Sequence, residues 1–203
     1  MVVLLTLVLA DAELELVPPK IAGHPALRSA ARKRGRPGTS LMLDSSVHHA
    51  ALRKLPDGPR RGRPDIVHLF LLLCLDSIPN LEGQLRTVVH MRHDRVLHVD
   101  PSARLPRNYM RFLGLIEDVF EKGAVPEDRP LLHIENGSLA DVLGSLEGRR
   151  VALVEGTPPT DLLPFFHRHP GDVVCVSAAS PMVRSEAPYP RSSTRRFPST
   201  RSH

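Results

Sequence analysis

The second half of the chain alternates short apolar runs with helical patterns, and this alternation constrains the fold more than any other feature. It predicts strands at 131–135, 151–155 and 172–176, with helices at 139–146 and 161–167 between them. Near the start, the apolar run at 2–9 is typical of a strand buried on both faces. Strands that alternate with helices favour a mostly parallel sheet with helices on both faces, so we predict an α/β domain.

The rest of the chain adds elements to this α/β frame. A helix is predicted at 64–76, and because it is apolar nearly all round we expect it to be buried. A second helix is predicted at 107–122, where an apolar stripe ends at Gly123. Residues 85–99 alternate as a β-hairpin extension, and residues 18–40, rich in Pro, Gly and Arg, are expected to be an irregular basic insertion.

Charge is spread unevenly along the chain and indicates the class of partner. The net charge is +5, and residues 20–63 alone carry eleven Lys or Arg against two Asp. A basic first third favours a polyanion such as RNA or DNA. Aromatic residues make up 4% of the chain and Trp is absent, which argues against base stacking as the main mode of binding.

Cysteine and hydropathy patterns bear on the compartment. Cys74 and Cys175 both lie in apolar runs, so we expect buried thiols in a reducing, cytoplasmic environment. The apolar run at 69–75 is too short to cross a bilayer, and no membrane partner is expected.

The stretch at 61–68, Arg-Gly-Arg-Pro-Asp-Ile-Val-His, sets two cations and one carboxylate at the start of a helix. Pro64 suits the first helical turn, and Asp65 suits the positive end of the helix dipole. Asp65 is also close enough to pair with Arg63 and fix its orientation. A braced arginine suits binding of a phosphate or a base edge, although a solvated helix cap remains the alternative.

A second basic stretch opens the predicted helix at 107–122. Arg107 and Arg111 are four residues apart and should share a helix face, and Arg104 can reach the same side. Together with Arg61 and Arg63 they offer five phosphate contacts and predict a nucleic-acid surface. A solvated charged face is the alternative.

The pair His48-His49 does not predict a metal site. Neighbouring residues of a helix point to different sides, so we expect no metal.

Four segments carry a resemblance to a known family: residues 7–18, 43–55, 61–68 and 104–115. The chain resembles the small-subunit rRNA pseudouridine N1-methyltransferases, ribosome-biogenesis factors of the SPOUT or α/β-knot class, in their archaeal form. The resemblance covers about residues 1–176. It implies a SPOUT fold, a homodimer, S-adenosylmethionine as methyl donor, and small-subunit rRNA as the partner that is methylated at N1 of a pseudouridine.

The resemblance also implies roles for particular residues. Arg63 would contact RNA and Asp65 would steady it, while the arginines at 104, 107 and 111 would contact RNA as well. Val154, Glu155 and Gly156 fall where the family places a cofactor-proximal loop. The catalytic residues stay unassigned, because Asp65 is a weak candidate for a general base once it pairs with Arg63.

The resemblance ends after Val176. Residues 177–203 contain seven Ser, five Arg, four Pro and two Thr, a composition that we expect to be disordered. The codons of residues 177–183, read one base back, permit the Gly-Gly-Phe-Pro-His-Gly loop of the family, so we interpret the tail as a slipped reading frame; a genuine basic tail is the alternative. Without that loop we expect weak cofactor binding. A non-catalytic rRNA-binding assembly factor is therefore the second hypothesis, and a DNA-binding regulator the third.

Overall fold

The computed structural model of the protein describes residues 3–154 and 160–179. Its strands are β1 (Leu5–Ala12), β2 (Leu85–Met91), β3 (Arg95–Val99), β4 (Ala124–Val125), β5 (Leu132–Asn136), β6 (Arg149–Leu153) and β7 (Val173–Ala178). They form a seven-stranded sheet in the order β4-β5-β3-β2-β1-β7-β6. The predicted α/β architecture is confirmed, with elements close to their expected positions.

The helices lie between these strands. They are α1 (Pro19–Ala22), α2 (Pro25–Arg34), α3 (Ser45–Leu52), α4 (Pro64–Leu75), α5 (Ile78–Leu81), α6 (Tyr109–Lys122), α7 (Leu139–Ser145) and α8 (Leu162–Arg168), with a 3-10 turn at Gly38–Ser40. Local signals set several of their ends: Ser138 and Asp141 form a capping box at the start of α7. Gly123 ends α6 in the left-handed conformation.

The sheet is covered on both faces, as predicted. On one face Leu9 packs with α4 and α6 around Phe112. On the other face Val8 and Ala10 pack with α7 through Leu139. Strand β1 therefore contributes to both cores, which explains its continuous apolar sequence.

Two of the six strand pairs, β3–β5 and β4–β5, are antiparallel pairs that the sequence did not predict. β1 pairs parallel to β2 and to β7, and β6 pairs parallel to β7. β3 is antiparallel to both β2 and β5, and β4 is antiparallel to β5. The hairpin at 85–99 is real, but it is an integral part of the sheet, because β2 lies at the centre of the strand order.

The segment at 18–40 is helical, not irregular as the sequence predicted. It contains α1, α2 and the 3-10 turn, and Leu27 is fully buried. Two of its arginines contact the buried carboxylate of Glu117 on α6, at 2.7 Å from Arg34 and 3.3 Å from Arg36. Glu117 also accepts a hydrogen bond from the Met42 backbone at 2.9 Å. Part of the charge in the basic first third is therefore paired within the fold.

Both cysteines are free and buried, as predicted. Within residues 3–154 and 160–179, none of the helices has the length and apolar character needed to span a bilayer.

Candidate nucleic-acid interface

The start of α4 presents one arginine in a fixed orientation. Arg63 is the N-cap residue, Pro64 occupies the first turn, and Asp65 follows. The Arg63 guanidinium donates two parallel hydrogen bonds to the Asp65 carboxylate, 2.9 Å from Nε and 2.8 Å from Nη2. Hydrogen bonding to Arg63 lowers the pKa of Asp65, and the two side chains remain 44% and 53% exposed. The pairing predicted from the sequence is therefore present, and the Arg63 side chain remains partly exposed.

Two residues earlier, Arg61 points the other way. Its side chain is buried, and it forms a bidentate pair with Glu15 of 2.7 and 2.5 Å. The residue between the two arginines, Gly62, has a φ of +68°, a conformation that glycine adopts readily. The expectation that Arg61 lies on the basic surface is corrected, because its guanidinium is enclosed and already satisfied by a carboxylate.

The second basic stretch is held against the first by polar contacts. His68 of α4 lies 2.8 Å from the Pro106 carbonyl, and its ring stacks on Phe112 with centroids 4.3 Å apart. The Tyr109 hydroxyl donates a 2.8 Å hydrogen bond to Asp44, the N-cap residue of α3. Burial and this contact raise the pKa of Tyr109 far above its ordinary value. Segments distant in sequence, at 44, 63–68 and 106–112, are thereby joined.

Three arginines of the second stretch are exposed: Arg104, Arg107 and Arg111. Arg107 forms a 2.9 Å ion pair with Asp76, the C-cap residue of α4. Helix α6 begins at Tyr109, so Arg107 lies outside it and does not share a helix face with Arg111 as predicted. The loop before α6 places Arg107 beside the C-terminal end of α4, where it pairs with Asp76. Arg63 lies at the N-terminal end of the same helix.

The two Arg–Asp pairs lie on one side of α4. Asp65 and Asp76 are eleven residues apart, which is about three turns and about 16 Å. Between them, Leu69 and Leu73 are 60% and 65% exposed. The opposite side of α4, which includes Val67 and Leu71, is buried in the core. The prediction that this helix is buried all round is therefore wrong, since one apolar side lies at the surface.

A small cavity of about 190 Å³ adjoins Arg104 and Arg107. It is lined by Leu72, Leu75, Asp76, Ala103, Arg104, Leu105 and Arg107. Two guanidinium groups at the edge of one cavity can hold a single anionic group. Since Arg63 lies at the far end of α4, the four exposed arginines form a strip and not a compact cluster. We call this strip the arginine strip: Arg63, Arg104, Arg107 and Arg111.

Two residues near the strip were not singled out by sequence reasoning. Asp44 is buried and accepts hydrogen bonds from the Ser46 backbone, the Ser46 hydroxyl and Tyr109. Tyr109 contacts both Asp44 and the ring of His68 on α4. Both lie in segments that carry the family resemblance, and this position is the sequence feature that could have identified them.

Residues predicted to bind the cofactor fall at the end of β6. Val154 follows this strand directly and is 45% exposed, whereas Glu155 and Gly156 lie outside the described residues. The predicted non-family tail at 177–203 is described only as far as Ala179; Ala178 pairs with Ala10, and the Ala179 amide donates to the Ala10 carbonyl. Of the loop proposed for residues 177–183, residues 180–183 lie outside the described residues.

The adjacent histidines of α3 lie in different environments. His48 is buried and accepts a 3.1 Å hydrogen bond from the Asp44 amide, while His49 is exposed. They point apart and share no ligand position.

Known proteins provide an independent comparison. A family model described as EMG1/NEP1 methyltransferase matches residues 7–186, which is ten residues beyond Val176. The ribosomal RNA small subunit methyltransferases Nep1 of Pyrococcus furiosus and Thermococcus kodakarensis are 56% and 57% identical over 142 and 140 residues. These matches cover 70% and 69% of this chain but 64% of each relative, just under two thirds of their length.

A solved structure agrees with the sequence matches. Archaeoglobus fulgidus Nep1 bound to S-adenosylhomocysteine is 34% identical, with a TM-score of 0.77, and the match covers 90% of this chain and 81% of that one. The seven-stranded sheet and this likeness define an α/β protein of the SPOUT class. The chain belongs to the EMG1/NEP1 methyltransferase family.

Proposed function

We propose that this protein is an S-adenosylmethionine-dependent methyltransferase that acts on N1 of a pseudouridine in small-subunit rRNA and serves small-subunit biogenesis. The family match over residues 7–186 carries the proposal, since that range includes the arginine strip. Relatives 56% and 57% identical are named rRNA small subunit methyltransferases. The S-adenosylhomocysteine of the related structure is the product that S-adenosylmethionine leaves after methyl transfer.

The arginine strip is the proposed RNA contact. Its four side chains are exposed, and arginine binds phosphate with planar, bidentate geometry. In this proposal Asp65 orients Arg63 and Asp76 orients Arg107, so each guanidinium is positioned before RNA arrives. Arg61 has no RNA-binding role, because its charge is paired with Glu15 inside the fold.

The carboxyl ends of β1, β7 and β6 are the proposed cofactor edge. These three strands are neighbours and parallel, so their ends meet at one side of the sheet, where α/β proteins commonly bind ligands. Val154 lies there directly after β6, and Asp11 lies there after the apolar part of β1 with a φ of +52°. S-adenosylmethionine would supply the methyl group, with Val154, Glu155 and Gly156 as candidates to hold it.

Positioning is the main contribution expected from the chain. Methyl transfer from a sulfonium to a ring nitrogen needs the base in line with the methyl group and loss of the N1 proton. Asp65 is a poor base, since pairing with Arg63 lowers its pKa. Tyr109 stays protonated at neutral pH, because its pKa is raised. We therefore propose that no described side chain serves as a strong general base, and that the proton leaves to solvent.

A homodimer is proposed from the exposed apolar surface of α4 and α5. Leu69, Leu73, Ile78 and Leu81 are each at least 60% exposed, and they are large apolar residues on adjacent helices. A second copy of this chain is the proposed occupant, because both rims of the surface carry an Arg–Asp pair, and a two-fold axis would place two strips side by side. Sedimentation should show a dimer that a Leu73→Asp variant converts to monomer.

Methyl transfer tests the proposal directly. The full chain, S-adenosylmethionine and an rRNA hairpin containing one pseudouridine should yield a hairpin heavier by one methyl group, with no product from the uridine hairpin. Equal methylation of the two hairpins would refute pseudouridine as the acceptor. No product from either hairpin, together with no cofactor binding by calorimetry, would refute the enzymatic proposal for this chain.

A non-catalytic rRNA-binding assembly factor is the second candidate. The Ser-, Pro- and Arg-rich composition of residues 177–203 favours it, since the family's cofactor loop is expected there. Tight hairpin binding without methyl transfer would support this alternative.

We also propose a cytoplasmic location, for which the two free, buried thiols are the support.

A further inference from the structure

One face of the antiparallel pair β3 and β5 carries two histidines and a glutamate outside the arginine strip. His98 and His133 are direct partners in the register of these strands, and Glu135 is two residues beyond His133. Since side chains alternate along a strand, the three residues share one face of the sheet. Their side chains lie beside the packing of Val96 and Val88 against α7.

The three side chains are already close enough to share one small ligand. The His98 Nε2 atom lies 2.7 Å from the Glu135 carboxylate, and the imidazoles of His98 and His133 stack with centroids 4.6 Å apart. One ligand atom from each residue lies within 4.8 Å of the other two. Donors around a tetrahedral zinc ion are about 3.3 Å apart, given bonds of about 2.0–2.1 Å. Zinc binding would draw the three donor atoms to that spacing.

The donor types select a class of ion. Imidazole nitrogen suits zinc, nickel, cobalt and copper, whereas magnesium and calcium prefer oxygen ligands. Two histidines and one carboxylate form a three-ligand set that leaves a fourth position open on zinc. We propose that His98, His133 and Glu135 bind a divalent transition-metal ion of the zinc class, in a site separate from the RNA and cofactor surfaces.

The open position of this ion would face solvent at a surface groove. His98 and Glu135 line one side of a groove of about 410 Å³, together with Arg86, Asn136, Asp141 and Ser145. An ion held at its edge can take water or a small anion as its fourth ligand. The sequence did not predict a metal site here. The proposed ligands come from strands more than thirty residues apart, and they match no short motif.

Calorimetry with Zn²⁺ tests the site on the untagged full chain. The wild-type protein should bind one ion per chain, and His98→Ala and His133→Ala should each weaken binding at least about tenfold. Glu135→Gln, which keeps the shape but removes the charge, should weaken it less. His49→Ala is the matched control, since it removes an exposed histidine of α3 and should leave the affinity within about twofold.

Each outcome decides the proposal. Failure of the wild-type chain to bind Zn²⁺, or wild-type affinity in either His98→Ala or His133→Ala, overturns it. Circular dichroism checks the fold of each variant, and His133→Gln replaces His133→Ala if the alanine variant is unfolded. The readout is metal binding alone, so it does not depend on whether the chain transfers methyl groups.

Discussion

Arg61 and Arg63 are separated by one glycine and have opposite environments. Arg61 is buried and paired with Glu15, whereas Arg63 is exposed and paired with Asp65. A buried ion pair is costly to break from one side, because the remaining charge has no water. An exposed pair contributes little to stability but can orient a cation toward a ligand. The same residue type in one short motif therefore supports the fold at one position and is available for recognition at the other.

The largest expected effect is on folding, from Arg61→Ala. Removal of the guanidinium leaves Glu15 charged in a site where its side chain is 8% exposed. We expect a loss of about 3–5 kcal/mol in the free energy of unfolding, measured by urea titration. Arg63→Ala should cost less than about 1 kcal/mol. Equal losses in the two variants would remove the contrast between the arginines.

The next effect concerns the residue that separates them. A Cβ on Gly62 would lie 3.1 Å from the Ser45 amide nitrogen, and its φ of +68° is unfavourable for alanine. Gly62→Ala should therefore destabilise the protein by about 1–3 kcal/mol. Gly144→Ala is the control, because no atom lies within 4 Å of a Cβ there and alanine favours the helix by about 0.5–1 kcal/mol. A Gly62→Ala protein as stable as the wild type would show that this backbone conformation does not require glycine.

A smaller effect is expected in RNA binding. Arg63→Ala should weaken the affinity for the rRNA hairpin about tenfold, or about 1.4 kcal/mol, and lower the magnitude of the salt slope by about 0.7–0.9. The melting temperature should stay nearly unchanged. Arg53→Ala, which removes an exposed arginine at the end of α3, is the matched control. Unchanged hairpin affinity would mean that Arg63 is only a helix cap.

The smallest effect is the titration of Asp65. Hydrogen bonding to Arg63 lowers its pKa in the folded state, so the stabilisation is present above the ordinary carboxyl pKa and disappears as pH falls through the lowered value. In Arg63→Ala, the Asp65 midpoint should rise toward its ordinary value, as followed by carboxyl-carbon NMR. A midpoint that does not move would show that Arg63 is not the cause.

Sequence patterns located the elements better than they located exposure. The order of strands and helices and the Arg63–Asp65 pair follow from local residue types, because caps and alternation act over a few residues. The burial of Arg61 depends on Glu15, forty-six residues away, which no local pattern reports. For the same reason the apolar sequence of α4 did not separate a core face from a surface face.

Contacts between residues distant in sequence also explain features that the charge distribution along the chain did not predict. The acidic residues that follow the first strand are not a separate acidic patch, since Glu13 pairs with Arg92 and Glu15 with Arg61. The cluster of His98, His133 and Glu135 arises from the register of two antiparallel strands. Spacing along the chain does not contain that register, whereas a sheet topology does.

Helix α4 fixes the distance and the relative orientation of the two Arg–Asp pairs at its ends. It carries Asp65 near its start and Asp76 at its end, and about three whole turns keep both carboxylates, with their arginines, on the same side. Insertion of a single residue into this helix would rotate one end by about 100° relative to the other, and the two carboxylates would then lie on different sides. The length of α4 therefore determines whether its two Arg–Asp pairs can serve one ligand surface.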